Sequence, residues 1–550
     1  MQVQAAQVDP RRWWALVALS FGLFMALLDV TIVNVALPSI QVALKAPFAS
    51  LQWVINAYAL VYAVALVTAA RMGDHFGRKR VFMLGEAIFA IGSMLCALSG
   101  HISFLGLDHS AVLDIFRGLE GLGAAAMMPL SLALISTTFH GRERGAAIGI
   151  WGGVAGFASA VGPLVGGILV QAVGWESIFY LNVPIAILGI ALCSWAVRES
   201  RDDSAPARVD FVGVVTITIA LLTLVLALMQ VNDADRGWTS PYILGLFALS
   251  AVFFVAHVLA ELRIAHPMQD PRLFRIPGYT AANITAFVLS ASTFSLFFFL
   301  SLYLQNTVGF SALGTGLRFL PLSALALLTA PLAGRFVHRT GEKPLILTAL
   351  VLLTASAFLM LLGGMSRSPD VWLAMLPAFI AGGLGIGLVN PPMSSLAVGS
   401  VPYHRIGMAS GVNSAARLMG QAFGIALFGA ILSQRYAAAI KSGVDALKAP
   451  YLTPAIRTAI IKGVDSAGVV AGSAGLPSAG SPNPYAGNPL LPQIQAIAYH
   501  AYILGTRETF VVAGAMLAAA FLLTALLIRP GAMRHEGPAP KGAWEKVDAR

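Results

Sequence analysis

The sequence predicts an all-α polytopic membrane protein. Hydrophobic residues make up 57% of the 550 residues and charged residues only 11%, which is too apolar for an ordinary water-exposed surface. The apolar residues form runs of about 20, the length that an α-helix needs to cross the hydrocarbon core of a bilayer. Sequence motifs of the first part of the chain also return in the second part, which indicates two related halves.

These runs predict about fourteen spans, with boundaries accurate to a few residues. The spans begin near Trp13, Leu51, Val81, Ser110, Arg144, Trp175, Val209, Pro241, Thr280, Leu313, Pro344, Val371, Gly407 and Glu508. The first run is longer than the apolar region of a signal peptide and lacks a small-residue cleavage site, so we expect it to be retained.

The basic residues predict the orientation. The short loops on one side contain only Lys45, Arg236 and Arg367, whereas most other basic residues lie in the segments on the opposite side. The positive-inside rule then places both termini in the cytoplasm. The net charge of +10 therefore reflects topology and does not indicate a nucleic-acid partner. Residues 434–507 form a long predicted extracytoplasmic loop, and residues 531–550 a predicted disordered cytoplasmic tail.

An internal repeat predicts the architecture. "ARMGDHFGRKR" (70–80) resembles "GRFVHRTGEKP" (334–344), and "GLGAAAMMP" (121–129) resembles "GLGIGLVNP" (383–391), at nearly the same offset. Spans two and four thus correspond to spans ten and twelve, which keeps the halves parallel and leaves two inserted helices between them. Parallel repeats with a substrate site near the midplane are the layout of major facilitator transporters.

The predicted organisation follows from this repeat. It comprises a cytoplasmic N-terminus (1–12), an N-terminal six-helix half (13–200), two inserted helices (201–275), a C-terminal six-helix half (276–530) and the tail. No phosphate-binding loop, zinc-protease motif or paired cysteine spacing occurs in the sequence, so we expect neither an enzyme nor a metal or other cofactor. An ion gradient is then the expected energy source.

Several segments resemble one particular family. These segments are "LLDVTIVNVALP", "LQWVINAYAL", "GDHFGRKR", "RGLEGLGAA", "GIWGGVAGFASAVGPLVGG" and "GWESIFYLNVP". They are similar to the fourteen-helix drug:proton antiporters of the major facilitator superfamily, the EmrB/QacA type. Four positions depart from the family pattern: Ala70, Glu120, Ala158 and Glu176.

The first span contains a carboxylate, Asp29, inside an apolar run. At 1.5 Å per residue, Asp29 lies roughly 13 Å and Arg117 of span four roughly 11 Å from the outer surface, so the two can pair. The resemblance implies that this aspartate and this arginine belong to the proton-coupling apparatus. Glu120 is a second candidate for a proton, and Asp114 is interpreted as a solvated residue near the outer end. The alternative is a static ion pair that only orients two helices.

Glycine-rich segments predict conformational roles. Gly77 permits a tight turn in the loop "GDHFGRKR", and the resemblance implies that this loop is a latch for one conformation. Span five combines small residues with a proline, which favours close packing and bending. The candidate gating residues are Asp74, Gly77, Arg78, Arg80, Gly149, Gly162, Pro163, Gly166 and Gly167.

An aromatic stretch, "STFSLFFFLSLYLQN", suggests contact with bulky amphipathic compounds, because ring faces attract organic cations. The candidate substrate-binding residues are Asn34, Tyr58, Phe294, Phe298, Tyr303 and Asn390. Arg417 of span thirteen is interpreted either as functional or as an inter-helix hydrogen-bond donor.

The predicted function is export of hydrophobic or cationic drugs in exchange for protons across the inner (cytoplasmic) membrane of a bacterium. The expected partners are small amphipathic substrates and the lipid bilayer. We expect a monomer, and the sequence does not imply a periplasmic adaptor. Two alternatives remain open: an exporter of one defined solute, such as a lipid precursor, siderophore or amino acid, and a membrane sensor that does not transport.

Overall fold

The structure is a computed structural model that describes residues 10–46, 48–102, 106–139, 141–201, 210–231, 237–264, 267, 269–401, 406–447, 457–458, 461 and 491–528. These ranges are predominantly α-helical and contain no β-strand, which agrees with the predicted fold class. The first seven helices are α1 (Arg12–Leu44), α2 (Phe48–Phe76), α3 (Arg78–Leu98), α4 (His109–Thr138), α5 (Gly141–Ala172), α6 (Ser177–Tyr180) and α7 (Asn182–Ala196).

Eight more helices follow. They are α8 (Phe211–Gln230), α9 (Pro241–Arg263), α10 (Pro277–Leu302), α11 (Ala312–Thr340), α12 (Glu342–Leu362), α13 (Val371–Gly399), α14 (Ile406–Asp445) and α15 (Leu491–Leu527). A π-helical turn, Tyr303–Thr307, extends α10. Helices suit a membrane interior because they satisfy their own backbone hydrogen bonds there.

Twelve helices in the described part of the chain are long and apolar enough to cross a membrane, if α6 and α7 are taken together as Ser177–Ala196. Two shorter apolar helical segments, Ser50–Leu66 and Val161–Ala172, lie within α2 and α5. The protein is therefore polytopic, and the count of fourteen spans stays a prediction.

The predicted helix starts agree with the structure to within three residues, except for the last. That span was predicted to begin near Glu508, whereas α15 begins at Leu491. Polar residues in the first turns of α15 lower the local hydropathy, so the predicted start was too late. Further along the helix, Glu508 forms an ion pair with Arg435 of α14. Apolar residues Ile494, Ala498 and Tyr502 lie on the buried face of the same helix.

Both ends of the predicted extracytoplasmic loop 434–507 are consequently helical, in α14 and α15. Most of the segment between them and the predicted tail lie outside the described residues.

Equivalent glycines support the internal repeat. Gly121 of α4 packs against the backbone of Tyr58 on α2, and Gly383 of α13 packs in the same way against Leu322 on α11. Two residues later, Gly123 packs against α3 and Gly385 against α12. Small residues let helix backbones approach closely in membranes, so the duplicated motif produces the same three-helix contact twice.

The two halves meet along two helix pairs, α5 with α11 and α2 with α14. The two helices predicted to be inserted, α8 and α9, pack against each other, and α8 also contacts α2 and α14. Large apolar side chains are exposed along α9, including Leu244, Val252 and Phe254, which suits contact with lipid. The inserted pair thus lies beside the seam between the halves and leaves the interior of each half to the other helices.

Candidate functional site

Asp29 on α1 and Arg117 on α4 form a buried ion pair. Arg117 Nη1 donates to Asp29 Oδ2 at 2.7 Å, and the exposed fractions of the two side chains are 1% for Arg117 and 0% for Asp29. The other oxygen, Asp29 Oδ1, has no hydrogen-bond partner among the described residues. One side of this carboxylate is therefore left unsatisfied within the protein.

Glu120 contacts the same guanidinium nitrogen, Nη1, as Asp29 does. Its Oε2 accepts from Arg117 Nη1 at 2.5 Å, and its Oε1 accepts from the hydroxyl of Ser93 on α3. Asn182 on α7 donates to Ser93 Oγ at 2.8 Å, and Cys96 Sγ lies 3.7 Å from Glu120 Oε2. The hydrogen-bonded network of Glu120 therefore extends across α3, α4 and α7.

Aromatic rings close the remaining faces of Arg117. Its Cζ lies 4.5 Å from the centroid of the Tyr58 ring and 5.8 Å from that of Phe179, within the range of cation–π attraction. Arg117 Nε donates to the carbonyl of Val54 at 2.9 Å, and the Tyr58 hydroxyl donates to the carbonyl of Ala26 at 3.2 Å. The guanidinium is thus held by α1, α2 and α4 at once.

The charges of this cluster do not balance when all three groups are ionised. Two carboxylates, Asp29 and Glu120, share one cation, Arg117. A net buried charge is costly in a low-dielectric interior, and one proton on either carboxyl group would make the cluster neutral. The arrangement can therefore bind and release a proton, with Arg117 retaining one carboxylate partner in each state.

The predicted substrate residues occupy different environments. Phe298 and Tyr303 are fully buried in the core, and Tyr303 exchanges hydrogen bonds with Ser366. Phe294 packs against the core of the N-terminal helices. Asn34 is buried and donates to the carbonyl of Val30 on its own helix. In this conformation Phe298 and Tyr303 are surrounded by other parts of the protein. The role of the predicted substrate residues in binding stays a prediction.

Tyr58 and Asn390 instead contact charged groups. Tyr58 belongs to the Arg117 cluster, and Asn390 Oδ1 accepts from Arg417 Nη1 at 2.8 Å. Arg417 Nη2 also donates to Ser394 Oγ at 2.8 Å. Because Asn390 and Ser394 lie one turn apart on α13, they can hold both terminal nitrogens of this arginine.

The loop after α2 is a tight turn. Gly77 has a φ of 110°, a conformation that side chains other than glycine rarely adopt. The Glu199 carboxylate accepts from the backbone N–H groups of Lys79 at 2.9 Å and Arg80 at 3.2 Å, so it caps α3. Sequence analysis missed Glu199, although a carboxylate directly after span six was a visible signal. The side chain of Asp74 lies outside the described set.

The glycines of α5 pack against two helices. A side chain at Gly166 would contact Ile32 of α1, and one at Gly167 would contact Leu313 of α11. Gly162 likewise faces Thr31 of α1, whereas nothing is described around Gly149. The segment is therefore a close-packed seam between the halves, and its role in conformational change stays a prediction.

The prediction that Asp114 is a solvated residue was wrong. Asp114 Oδ1 is buried and has no hydrogen-bond partner among the described residues. The residue lines an apolar cavity of about 580 Å³ between α2, α4 and α8, beside Trp53 and Ile115. Val214, Thr218 and Leu222 of α8 line the same cavity, and this neighbourhood could not be inferred from position along the span.

The sequence matches a family model described as Major Facilitator Superfamily over residues 19–425. The multidrug resistance protein Stp of Mycobacterium tuberculosis is 36% identical over 431 residues, which cover 78% of this chain and 78% of that protein. The tetracenomycin C resistance and export protein of Streptomyces glaucescens is 32% identical over 515 residues, which cover 93% of this chain and 91% of that protein.

Among solved structures, a bacterial homologue of the human lysosomal transporter Spinster is similar in fold, with a TM-score of 0.60 and 16% identity. The similarity covers 95% of this chain and 100% of that one. At this identity the likeness concerns the fold.

Proposed function

This chain belongs to the Major Facilitator Superfamily, and we propose that it exports hydrophobic or cationic drugs across the bacterial inner membrane in exchange for protons. Relatives of this chain are named for multidrug resistance and for drug resistance and export, which supports drug efflux. Proton exchange rests on one observation, the buried cluster in which Asp29 and Glu120 both contact Arg117 Nη1.

Protonation changes the contacts that join α1 to α4. When Asp29 is ionised, its attraction to Arg117 holds these helices together. A proton on Asp29 removes the negative charge of Asp29. Glu120, which lies on α4 together with Arg117, then remains the ionised partner of the guanidinium. Because the two acids lie on different helices, moving the proton from one to the other changes the attraction between α1 and α4. Exchange of drug for proton requires such a link between protonation and conformation.

Hydrogen bonds between the halves favour one conformation. Ser301 on α10 donates to the carbonyl of Asn34 at 2.8 Å, and Gln52 on α2 donates to that of Ile425 on α14 at 3.1 Å. These contacts lie toward the side predicted to be external, as do Gly167 and Leu313. We infer that this side is closed and that substrate enters from the cytoplasm. Alternating access would then be rocking of the proposed halves, 13–200 and 276–530.

The test is ethidium transport in proteoliposomes with an imposed proton gradient, comparing the wild type with Asp29→Asn. We expect gradient-driven transport by the wild type and its loss in the variant. Ethidium counterflow without a gradient should persist in Asp29→Asn, because exchange of one substrate for another needs no net proton movement. Persistence of counterflow shows that the variant is folded.

Gradient-driven transport that survives in Asp29→Asn would reduce the Asp29–Arg117 pair to a structural contact. Absence of any ethidium transport by the wild type would favour a carrier of one defined solute.

A further inference from the structure

A second guanidinium, that of the half-buried Arg417, lies outside the proton cluster. Its hydrogen-bond partners are neutral: Asn390 accepts from Nη1 and Ser394 from Nη2. Its Nε is buried and has no partner among the described residues. Tyr62 of α2 interacts with it electrostatically. In contrast to Arg117, Arg417 therefore has no carboxylate partner among the side chains that the structure describes.

Arg417 lies at the seam between the halves, near the middle of the membrane. It is 11 residues from the start of α14, or roughly 16 Å along the helix, and Tyr62 lies midway along α2. The next residue, Leu418, packs against the core of the N-terminal helices. The guanidinium thus belongs to the C-terminal half and faces the N-terminal half, where substrates of this fold bind.

An unbalanced cation at this depth has an energetic cost that a structural role does not explain. A neutral donor such as glutamine could join α14 to the amide of Asn390 and the hydroxyl of Ser394 without placing a charge inside the membrane. Ionisable groups inside membranes are costly and commonly mark substrate or ion pathways. The positive charge of Arg417 is thus explained by a ligand of opposite charge.

The geometry also suits an acid group. Asn390 and Ser394 hold the terminal nitrogens by one contact each, which orients the planar guanidinium and leaves the second hydrogens of Nη1 and Nη2 for a ligand. Such a donor fork recognises a carboxylate through two parallel hydrogen bonds.

We propose that Arg417, oriented by Asn390 and Ser394, binds the carboxylate of amphipathic organic acids, so that acids and zwitterions are substrates of this protein. The proposal rests on the proposed export function for its biological meaning, and it extends the substrate range beyond hydrophobic and cationic compounds. The Tyr62 ring lies 5.7 Å from that of Tyr58, which packs on Arg117. The acid site and the proton cluster are thus joined through two tyrosines.

The test is equilibrium binding of two fluorescent probes to the purified full chain, followed by fluorescence polarisation. Rhodamine 110 carries a free carboxylate, and rhodamine 123 is its methyl ester, so the pair differs at the group in question. We expect the wild type to bind rhodamine 110 more tightly. In Arg417→Gln this preference should fall about tenfold or more, because a charge-assisted hydrogen-bonded pair is lost.

Two further variants separate recognition from folding. Asn390→Asp keeps Arg417 and places a carboxylate beside it, so it should also abolish the preference. Arg318→Gln removes a different guanidinium, one that stacks on the Phe310 ring of the segment before α11, and should leave the preference unchanged.

Three results would overturn the proposal. The first is a wild type that binds the free acid no more tightly than the ester, which includes a wild type that binds neither probe. The second is a preference for the free acid that survives both Arg417→Gln and Asn390→Asp. The third is an equal loss of binding of both probes in these variants. None of these outcomes depends on proton-driven ethidium transport. Failure of the acid site and failure of the export function are therefore distinguishable.

Discussion

At the scale of single residues, the cluster around Arg117 explains why a carboxylate occurs inside a membrane span. Asp29 and Glu120 each contact the guanidinium, so either acid can be removed without leaving the cation unpaired. The reverse does not hold, because loss of the arginine leaves two buried acids without a cation.

This asymmetry predicts an order of stabilities. Arg117→Gln should destabilise the protein by about 3–5 kcal/mol, the effect of breaking a buried ion pair from one side. Asp29→Asn should cost clearly less, and the double variant Arg117→Gln/Asp29→Asn should be more stable than Arg117→Gln alone. Thermal unfolding of the purified protein in detergent measures all three, and equal losses in both single variants would contradict the shared-cation arrangement.

At the scale of helices, Glu199 connects the end of α7 to the beginning of α3. Its carboxylate accepts from the backbone N–H groups of Lys79 and Arg80. Such groups in the first turn of a helix have no partner within the helix. Glu199→Ala should therefore cost about 0.5–2 kcal/mol, the usual effect of removing a cap, and Glu199→Gln should cost less because its amide oxygen can still accept. Thermal unfolding provides the measurement, and no difference between Glu199→Ala and the wild type would show that the cap is dispensable.

The seam between α5 and α11 supports a prediction about conformation. A side chain at Gly316 of α11 would overlap the backbone of Pro163, whereas Gly334 of the same helix faces open space. Gly316→Val should therefore hinder closure of the external side, and Gly334→Val should not.

The reporter for this prediction is Gln305→Cys, at a position where the wild-type side chain bonds to the carbonyl of Val35. An impermeant maleimide added outside should label this cysteine severalfold faster with Gly316→Val, and the native cysteines are buried. Equal labelling with both valine variants would mean that this seam does not control external access.

At the scale of the whole molecule, the charge of the Arg117 cluster predicts how many protons are exchanged in each transport cycle. One proton makes the cluster of two acids and one arginine neutral, so one proton per cycle is expected. Exchange of one proton for one ethidium cation moves no net charge and should be insensitive to membrane potential. A second proton would add about 2.3 kcal/mol per 100 mV, or about fiftyfold in accumulation.

Proteoliposomes with a potassium diffusion potential set by valinomycin test this directly. Ethidium accumulation should follow the pH difference and remain constant when the potential is varied. Accumulation that rises with potential would instead require more than one proton per cation.

The helices and the depth of their charged residues were predictable from the sequence. Hydropathy and the 1.5 Å rise per residue place Asp29 and Arg117 at a common depth, and the repeated glycine motifs indicate two equivalent halves. The same reasoning failed for the start of α15. Contacts with α14 stabilise polar turns there that hydropathy alone assigns to a loop.

The tertiary structure decided which side chains face one another. Spacing along one helix shows that Glu120 is near Arg117, but the contacts of Glu120 with Ser93 and Asn182 depend on how α3 and α7 pack against α4. Packing between distant helices also places Arg417 beside Asn390. Depth in a membrane is a property of each segment and can be read from its sequence, whereas helix neighbours and rotation depend on close contacts between segments far apart in the chain.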